Sequence, residues 1–274
     1  AVHFAEKGWT KTKLEVFFNH KARWKYFPWD MDEIRFERDN KATLYPAKLA
    51  LEAIEGIEGP QFINRIDSSW IFGKSAKSEL GDAIDLWIVN GGYLAPFPDE
   101  AELLKSKGQE IFFYGGAGNI AAPSRMHNLV WPWLAWGRGV DGFTYWNALG
   151  WGGREWWKSP GGGHNHIMYP ASVLGIDGAL ASVRMKTMRR GVQDNAYLTE
   201  LTKRTGSRDA ADAIIADHLG NTRGREDWWQ RDEYPGGSGS DTRARKMSPR
   251  PWHDAPRSKW VSARRAVAET VEKA

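Results

Sequence analysis

The sequence predicts an α/β protein built as a TIM-type (β/α) barrel, or part of one, followed by an irregular basic C-terminal extension. Three observations carry that expectation. Strand-like and helix-like segments alternate five times between Leu14 and Trp146. Each strand-like segment is a nearly unbroken apolar run, the pattern of a strand buried on both faces of a parallel sheet with helices packed outside it. Each run also ends in or beside Asp, Asn, Gly or Trp, and polar residues at strand C-termini are what a barrel presents at its active face. A doubly wound open sheet alternates similarly, but the GxGxxG phosphate loop expected after its first strand is missing.

Taken in order, Leu14 to Asn19 (LEVFFN) reads as the first buried strand, and it delivers a loop dense in charge: His20, Lys21, Arg23, then FPWDMDEIRFERD. Apolar residues at helical spacing predict a helix from Leu44 to Ile57, which Gly56 and Gly59-Pro60 end. Gln61 to Asp67 is the second strand, Ser75 to Leu80 a short helix, and Ala83 to Asn90 the third strand. Pro98 to Lys107 places acidic residues early and Lys late, the order a helix dipole favours. Glu110 to Tyr114 is the fourth strand, Met126 to Trp136 a buried helix, and Asp141 to Trp146 the fifth strand. A long helix is expected from Ala179 to Leu201, with shorter ones from Asp209 to Leu219 and Ser262 to Lys273. The domain reading is a barrel over residues 1–202 and a loop-rich basic extension over 203–274.

Composition sets limits on what the chain does. Of 274 residues, 41% are hydrophobic and 26% charged, which excludes a disordered chain, and no apolar run is long enough to span a bilayer, so no membrane partner is expected. The absence of Cys removes disulfides, zinc-thiolate sites and Cys nucleophiles together. The chain begins at Ala rather than Met, as a processed or truncated product does. Its formal charge is +4, with the basic excess concentrated after Lys203. Such a tail is able to contact nucleic acid, but more commonly it is a solvated appendage, so nucleic acid is not the expected partner. His164 and His166 in a Gly-rich loop lack a visible third ligand, and neither a metal nor another cofactor is expected.

Seven of the sixteen Trp lie between Trp131 and Trp157, around Asp141 to Asn147. Trp offers a broad apolar face and one N–H donor, which suits a flat, hydroxylated, partly apolar ligand such as a sugar ring. The alternative is that these rings are core. The candidate sugar-lining residues are Asp67 and Asn90 at strand ends, Tyr114, Tyr145, Trp146, Asn147 and Trp151.

The order of WDMDE, a GFTYWN strand, a Gly-rich loop leading to YP, and then SVRMKTMRRGVQDNAYLTEL resembles the catalytic barrel of the glycoside hydrolase family 123 group and its uncharacterised relatives. The most specific part is Ser182, Arg184, Arg189, Gly191, Asp194 and Tyr197, a helix of the type S-x-R-x-x-x-x-R-x-G-x-x-D-x-x-Y. The resemblance runs from about Val2 to Leu201 and matches the last five strands of an eight-stranded domain. The three earlier strands would precede Ala1 in a longer protein; otherwise the half-barrel closes differently, for instance by pairing with a second copy, because an open parallel edge is a liability. The resemblance implies a retaining hydrolase of β-linked 2-acetamido sugars, acting on polysaccharide or related glycans in an extracellular or periplasmic space, whose substrate supplies its own nucleophile. It also implies that Asp32 and Glu33 are the catalytic pair. Glu33 would protonate the leaving oxygen and Asp32 would hold the acetamide N–H, an exception to two-carboxylate double displacement. Adjacent residues of a strand face opposite ways, so such a pair needs a loop or turn. Here the pair follows its strand by about a dozen residues, farther than the family pattern places it. Arg184 and Asp194 are read as structural charges. The alternative function is a non-catalytic carbohydrate-binding or self-assembling protein that keeps the aromatic mouth without the activity.

Overall fold

The third strand shows most directly what the apolar runs build. In the computed structural model, which describes residues 2–18, 20–21, 28–56, 61–68, 70–90, 94, 97–115, 127–145, 148, 166–220, 229–233, 243–247 and 255–274, β3 (Leu86–Asn90) has Leu86, Trp87, Ile88 and Val89 at 2% exposure or less. A strand with no exposed face belongs inside a parallel sheet covered on both sides. Its neighbours are β1 (Lys13–Phe17) and β2 (Gln61–Asp67). β1 pairs with β2 in parallel from Lys13 opposite Gln61 to Phe17 opposite Arg65, and β2 pairs with β3 from Arg65 opposite Leu86 to Asp67 opposite Ile88. With β4 (Glu110–Gly115) and β5 (Gly142–Tyr145) the strand order follows the chain, β1-β2-β3-β4-β5. Five parallel strands with helices between them make an α/β sheet consistent with part of a barrel.

The chain divides into two compact units, Ala1–Phe113 with Arg231–Arg245 and Tyr114–Gln230 with Lys246–Ala274. In the first, a short helix α1 (Val2–Glu6) precedes β1, α2 (Glu37–Ile54) links β1 to β2, and α3 (Phe72–Lys77) with a 3₁₀ turn (Glu79–Asp82) links β2 to β3. Helix α4 (Pro98–Ser106) follows β3. Phe72 meets Trp87 and Phe97 edge-on, with centroids 6.0 and 6.3 Å away. Asn64 is the polar exception in this core and is fully employed: its Nδ2 donates to the Ala47 and Ala83 carbonyls at 3.0 and 2.9 Å, and its backbone N–H donates to Asp85 Oδ2 at 2.7 Å. It thereby fastens α2 and the 3₁₀ turn to β2. Burial pushes the Asp85 carboxyl up, against that N–H and the charge of Lys13.

The second unit is helical around α5 (His127–Gly137) and α6 (Val183–Thr205). Gly191 lets the two helices touch: a Cβ there would lie 2.5 Å from the Leu129 carbonyl oxygen and 3.0 Å from the Pro132 ring. Asn195 Nδ2 donates to the Pro132 carbonyl at 2.8 Å, and Trp133 Nε1 donates to Asp194 Oδ2 at 3.2 Å. α7 (Asp209–Leu219) and α8 (Arg257–Lys273) pack on α6, and Trp260 of α8 meets Trp133 edge-on at 5.2 Å. Two small two-stranded sheets remain, β6 (Met168–Pro170) antiparallel to β7 (Ala179–Ala181), and β8 (Trp229–Glu233) beside β9 (Arg243–Met247).

The structure corrects several expected elements. α2 starts at Glu37, not Leu44, because the apolar spacing begins only at Leu44 while the polar turns before it are already helical, their start held by Asp39. Asp39 Oδ2 accepts from the Phe36 and Arg35 N–H groups at 3.0 and 3.4 Å. The helix expected from Ala179 begins at Val183: Ala179 to Ala181 pair as strand β7, and the Ser182 hydroxyl caps the helix by accepting from the Met185 N–H at 3.2 Å. That helix runs on to Thr205 and stops at Gly206, φ 74°. The expected helix Ser75 to Leu80 is α3 followed by the 3₁₀ turn, and the third strand starts at Leu86 instead of Ala83.

Candidate functional site

Asp32 and Glu33 lie between two core anchors, Met31 at 9% and Ile34 at 0% exposure. The segment turns back on the end of β1, where the His20 carbonyl accepts from the Met31 N–H at 2.8 Å and the Asp32 N–H at 3.2 Å. On its other side the Ile34 N–H donates to the carbonyl of Asp67, the last residue of β2, at 3.2 Å. Two anchors and three backbone bonds leave the intervening peptide little freedom. Glu33 takes φ 59°, and among the described residues it is the one non-glycine residue with positive φ. The left-handed region costs a residue with a Cβ about 1 to 2 kcal/mol, a strain that persists only where its surroundings impose it.

This turn aims both carboxylates at one cation. Lys21 Nζ lies 2.9 Å from Asp32 Oδ2 and 3.3 Å from Glu33 Oε2, with the Lys21 and Asp32 side chains buried and that of Glu33 24% exposed. A buried ammonium needs such partners, since desolvation is otherwise uncompensated. Asp30 is buried in the same segment, and Arg35 lies over the Trp70 ring at 5.1 Å from its centroid. Burial, with the nearby Asp30 charge, pushes the Asp39 carboxyl up against the backbone N–H groups of Phe36, Arg35 and Asp30. Lys21 was readable only as one charge in a dense loop; its H-K position just after an apolar strand is the sole signal that singles it out.

Of the proposed sugar-lining residues, Asp67 is tied by its backbone to the residue after Glu33 and is 6% exposed. Asn90 is half-buried at the end of β3 in the same unit. Tyr114 is half-buried in β4 and Tyr145 half-buried as the last residue of β5, both in the second unit. Trp146, Asn147 and Trp151 lie outside the described residues, as do His164 and the Gly-rich loops. Of the Trp cluster, Trp133 and Trp136 are core residues of α5, at 1% and 7% exposure. Trp136 stacks under Arg208, whose guanidinium is 3.8 Å from the ring centroid and donates to the Trp136 carbonyl at 2.8 Å. Among the described residues, no three His, Asp or Glu side chains gather as a metal site, and no helix is long and apolar enough to cross a membrane.

No family model matches the chain, and no curated protein matches it. Among solved structures it is similar to a family 123 glycoside hydrolase from Clostridium perfringens, studied for the details of glycolipid glycan hydrolysis, with a TM-score of 0.58 and 15% identity. The likeness covers 99% of this chain and 43% of that one, so this chain spans less than half the length of the enzyme it is similar to. At that identity the likeness is one of fold.

Proposed function

We propose that the chain is a glycoside hydrolase, acting on β-linked 2-acetamido sugars or related glycans with retention of configuration. The observation that carries the reading is the convergence of two neighbouring carboxylates, Asp32 and Glu33, on the single ammonium of Lys21 in a strained turn after β1. The fold likeness to a family 123 hydrolase supports the same reaction class. In this reading Glu33 takes up a solvent proton as substrate binds and gives it to the glycosidic oxygen as the bond to the sugar breaks. The 2-acetamido carbonyl oxygen of the substrate attacks the same carbon, and Asp32 holds the acetamide N–H and offsets the positive charge of the oxazolinium ring. Water then opens that ring, returning a proton to Glu33. Lys21 acts as a positioning residue that keeps both carboxylates on one side. Asp67 and Asn90 offer polar contacts to sugar hydroxyls, and Trp29, three residues before Asp32 and 40% exposed, offers an apolar face.

The test is hydrolysis of phenyl β-glycosides, whose leaving group needs an acid, 2-acetamido sugars beside their 2-hydroxy counterparts, by the chain and its Glu33→Gln variant. Turnover confined to the 2-acetamido compounds and lost in the variant is expected. Turnover of the 2-hydroxy sugars would assign the nucleophile to a protein carboxylate, with Asp67 the nearest candidate. Sugar binding without turnover by the folded chain would replace this reading with that of a non-catalytic carbohydrate-binding or self-assembling protein.

A further inference from the structure

The second unit carries a concavity of about 530 Å³ between α6 and α8, within the size range of small-ligand sites. Its charge is one-sided. Lys186, Arg189, Arg190, Arg257 and Arg264 line it, and the one carboxylate among its lining residues is Asp194. Asp194 is buried and already engaged, with Oδ2 on the Trp133 indole and Oδ1 3.0 Å from Arg264 Nε. Lys186, Arg189 and Arg257 have no ion-pair partner among the described residues. Like charges held together repel, so an oxyanion seated here relieves that repulsion. Guanidinium groups match the planar, forked geometry of carboxylate, sulfate and phosphate.

We propose that this groove binds a sulfated or carboxylated sugar. The anionic part follows from the five cations, three of them without an ion-pair partner among the described residues; the sugar part rests on the glycosidase reading. A sugar suits the rest of the lining, where Leu129, Trp260 and Val261 supply apolar surface and Thr187 and Gln193 supply hydroxyl and amide groups. A single concavity of this size also fits a ring or two better than a nucleic-acid duplex, which asks for an extended basic stripe. An anionic sugar held here would let the chain recognise a charged glycan away from Asp32 and Glu33.

The probes are a sulfated disaccharide, its unsulfated parent, inorganic sulfate and a short DNA duplex, titrated calorimetrically into the full chain and into an Arg189→Ala, Arg257→Ala double variant. Both residues are exposed, so folding is expected to survive, and melting curves check it; Lys186→Ala serves as a second, milder variant. The sulfated disaccharide is expected to bind, to weaken as salt is added, and to lose about tenfold in affinity per Arg removed, the scale of one charge-assisted hydrogen bond. The unsulfated parent is expected to bind far more weakly. Absence of binding by the folded chain, or equal binding by the double variant, overturns the site. Sulfate as tight as the disaccharide, or duplex DNA tighter than it, overturns the sugar assignment. Hydrolysis of neutral 2-acetamido glycosides, measured on the same samples, is expected to be unchanged in the variants. Loss of that activity in every sample, with sulfated-sugar binding intact, would sink the glycosidase reading and leave the anion site standing.

Discussion

Replacing Lys21 by Met removes the cation on which the candidate site converges while keeping most of the side chain's volume. At an effective dielectric near 20, each contact, at 2.9 and 3.3 Å, carries roughly 5 kcal/mol of Coulomb attraction, most of it offset by the cost of taking the three charges out of water. The variant keeps that desolvation cost at Asp32, whose side chain is 11% exposed, and loses the attraction. Breaking a buried pair from one side costs about 3 to 5 kcal/mol. Glu33, with its side chain 24% exposed, turns to water, which places the expected loss near the lower figure, about 3 kcal/mol. Urea unfolding measures it as a fall in midpoint at unchanged slope. Adding Asp32→Asn to the variant neutralises the stranded carboxylate and is expected to recover about 2 kcal/mol, a coupling that only groups in contact show. A loss under about 1 kcal/mol, or no recovery in the double variant, would refute the clamp and the energetic reasoning together.

Three further outcomes follow from other parts of the chain. Glu33→Gly is expected to be more stable than Glu33→Ala by about 1 kcal/mol, since both lose the carboxylate but only glycine adopts φ 59° without strain; equal stability would show that the turn relaxes. Gly191→Ala drives a methyl onto the Leu129 backbone carbonyl, which cannot move aside like a side-chain tip, so thermal melting is expected to report a loss of about 1 to 3 kcal/mol. At Asp194, burial pushes the carboxyl up to about 6, against the Trp133 indole N–H and the charge of Arg190. A raised folded-state value means that the native chain holds this proton more tightly than the unfolded one. Its contribution is therefore full at low pH and is lost as pH rises through about 6, by at most about 3 kcal/mol because the nearby Arg264 favours the charged form. Asp194→Asn is expected to flatten stability between about pH 4 and 6, and an unchanged slope in urea midpoints would count against the buried-carboxyl account.

What the sequence made legible was local. Gln61–Asp67 and Asp209–Leu219 are read to the residue, because each has one periodicity and clear breakers on either side. Apolar spacing placed a helix start at Leu44 because the turns before it are polar, and the true start depended on the Asp39 carboxylate reaching back to the Phe36 N–H. Ala179 to Ala181 has the composition of a helix and the pairing of a strand, a choice made by Met168–Pro170 rather than by its own propensity. In the motif of the long helix, Ser182 is an N-cap, Gly191 a contact point and Asp194 a buried partner of Trp133, so those positions specify packing. In the candidate site, Asp32 and Glu33 were visible as a pair, but no spacing rule places Lys21 against both. That convergence depends on the His20 and Asp67 carbonyls folding the segment back between β1 and β2.

The central claim is that Glu33 protonates a leaving group, and leaving-group dependence tests it most directly. The measurement is kcat/KM of the chain and of Glu33→Gln on 2-acetamido β-glycosides bearing phenol and dinitrophenol. General acid catalysis is worth about 10² to 10⁴ in rate, and only a poor leaving group needs it. The variant is therefore expected to lose activity on that scale with phenol and to keep most of it with dinitrophenol. Equal losses on both substrates would contradict the assignment of Glu33 as the acid.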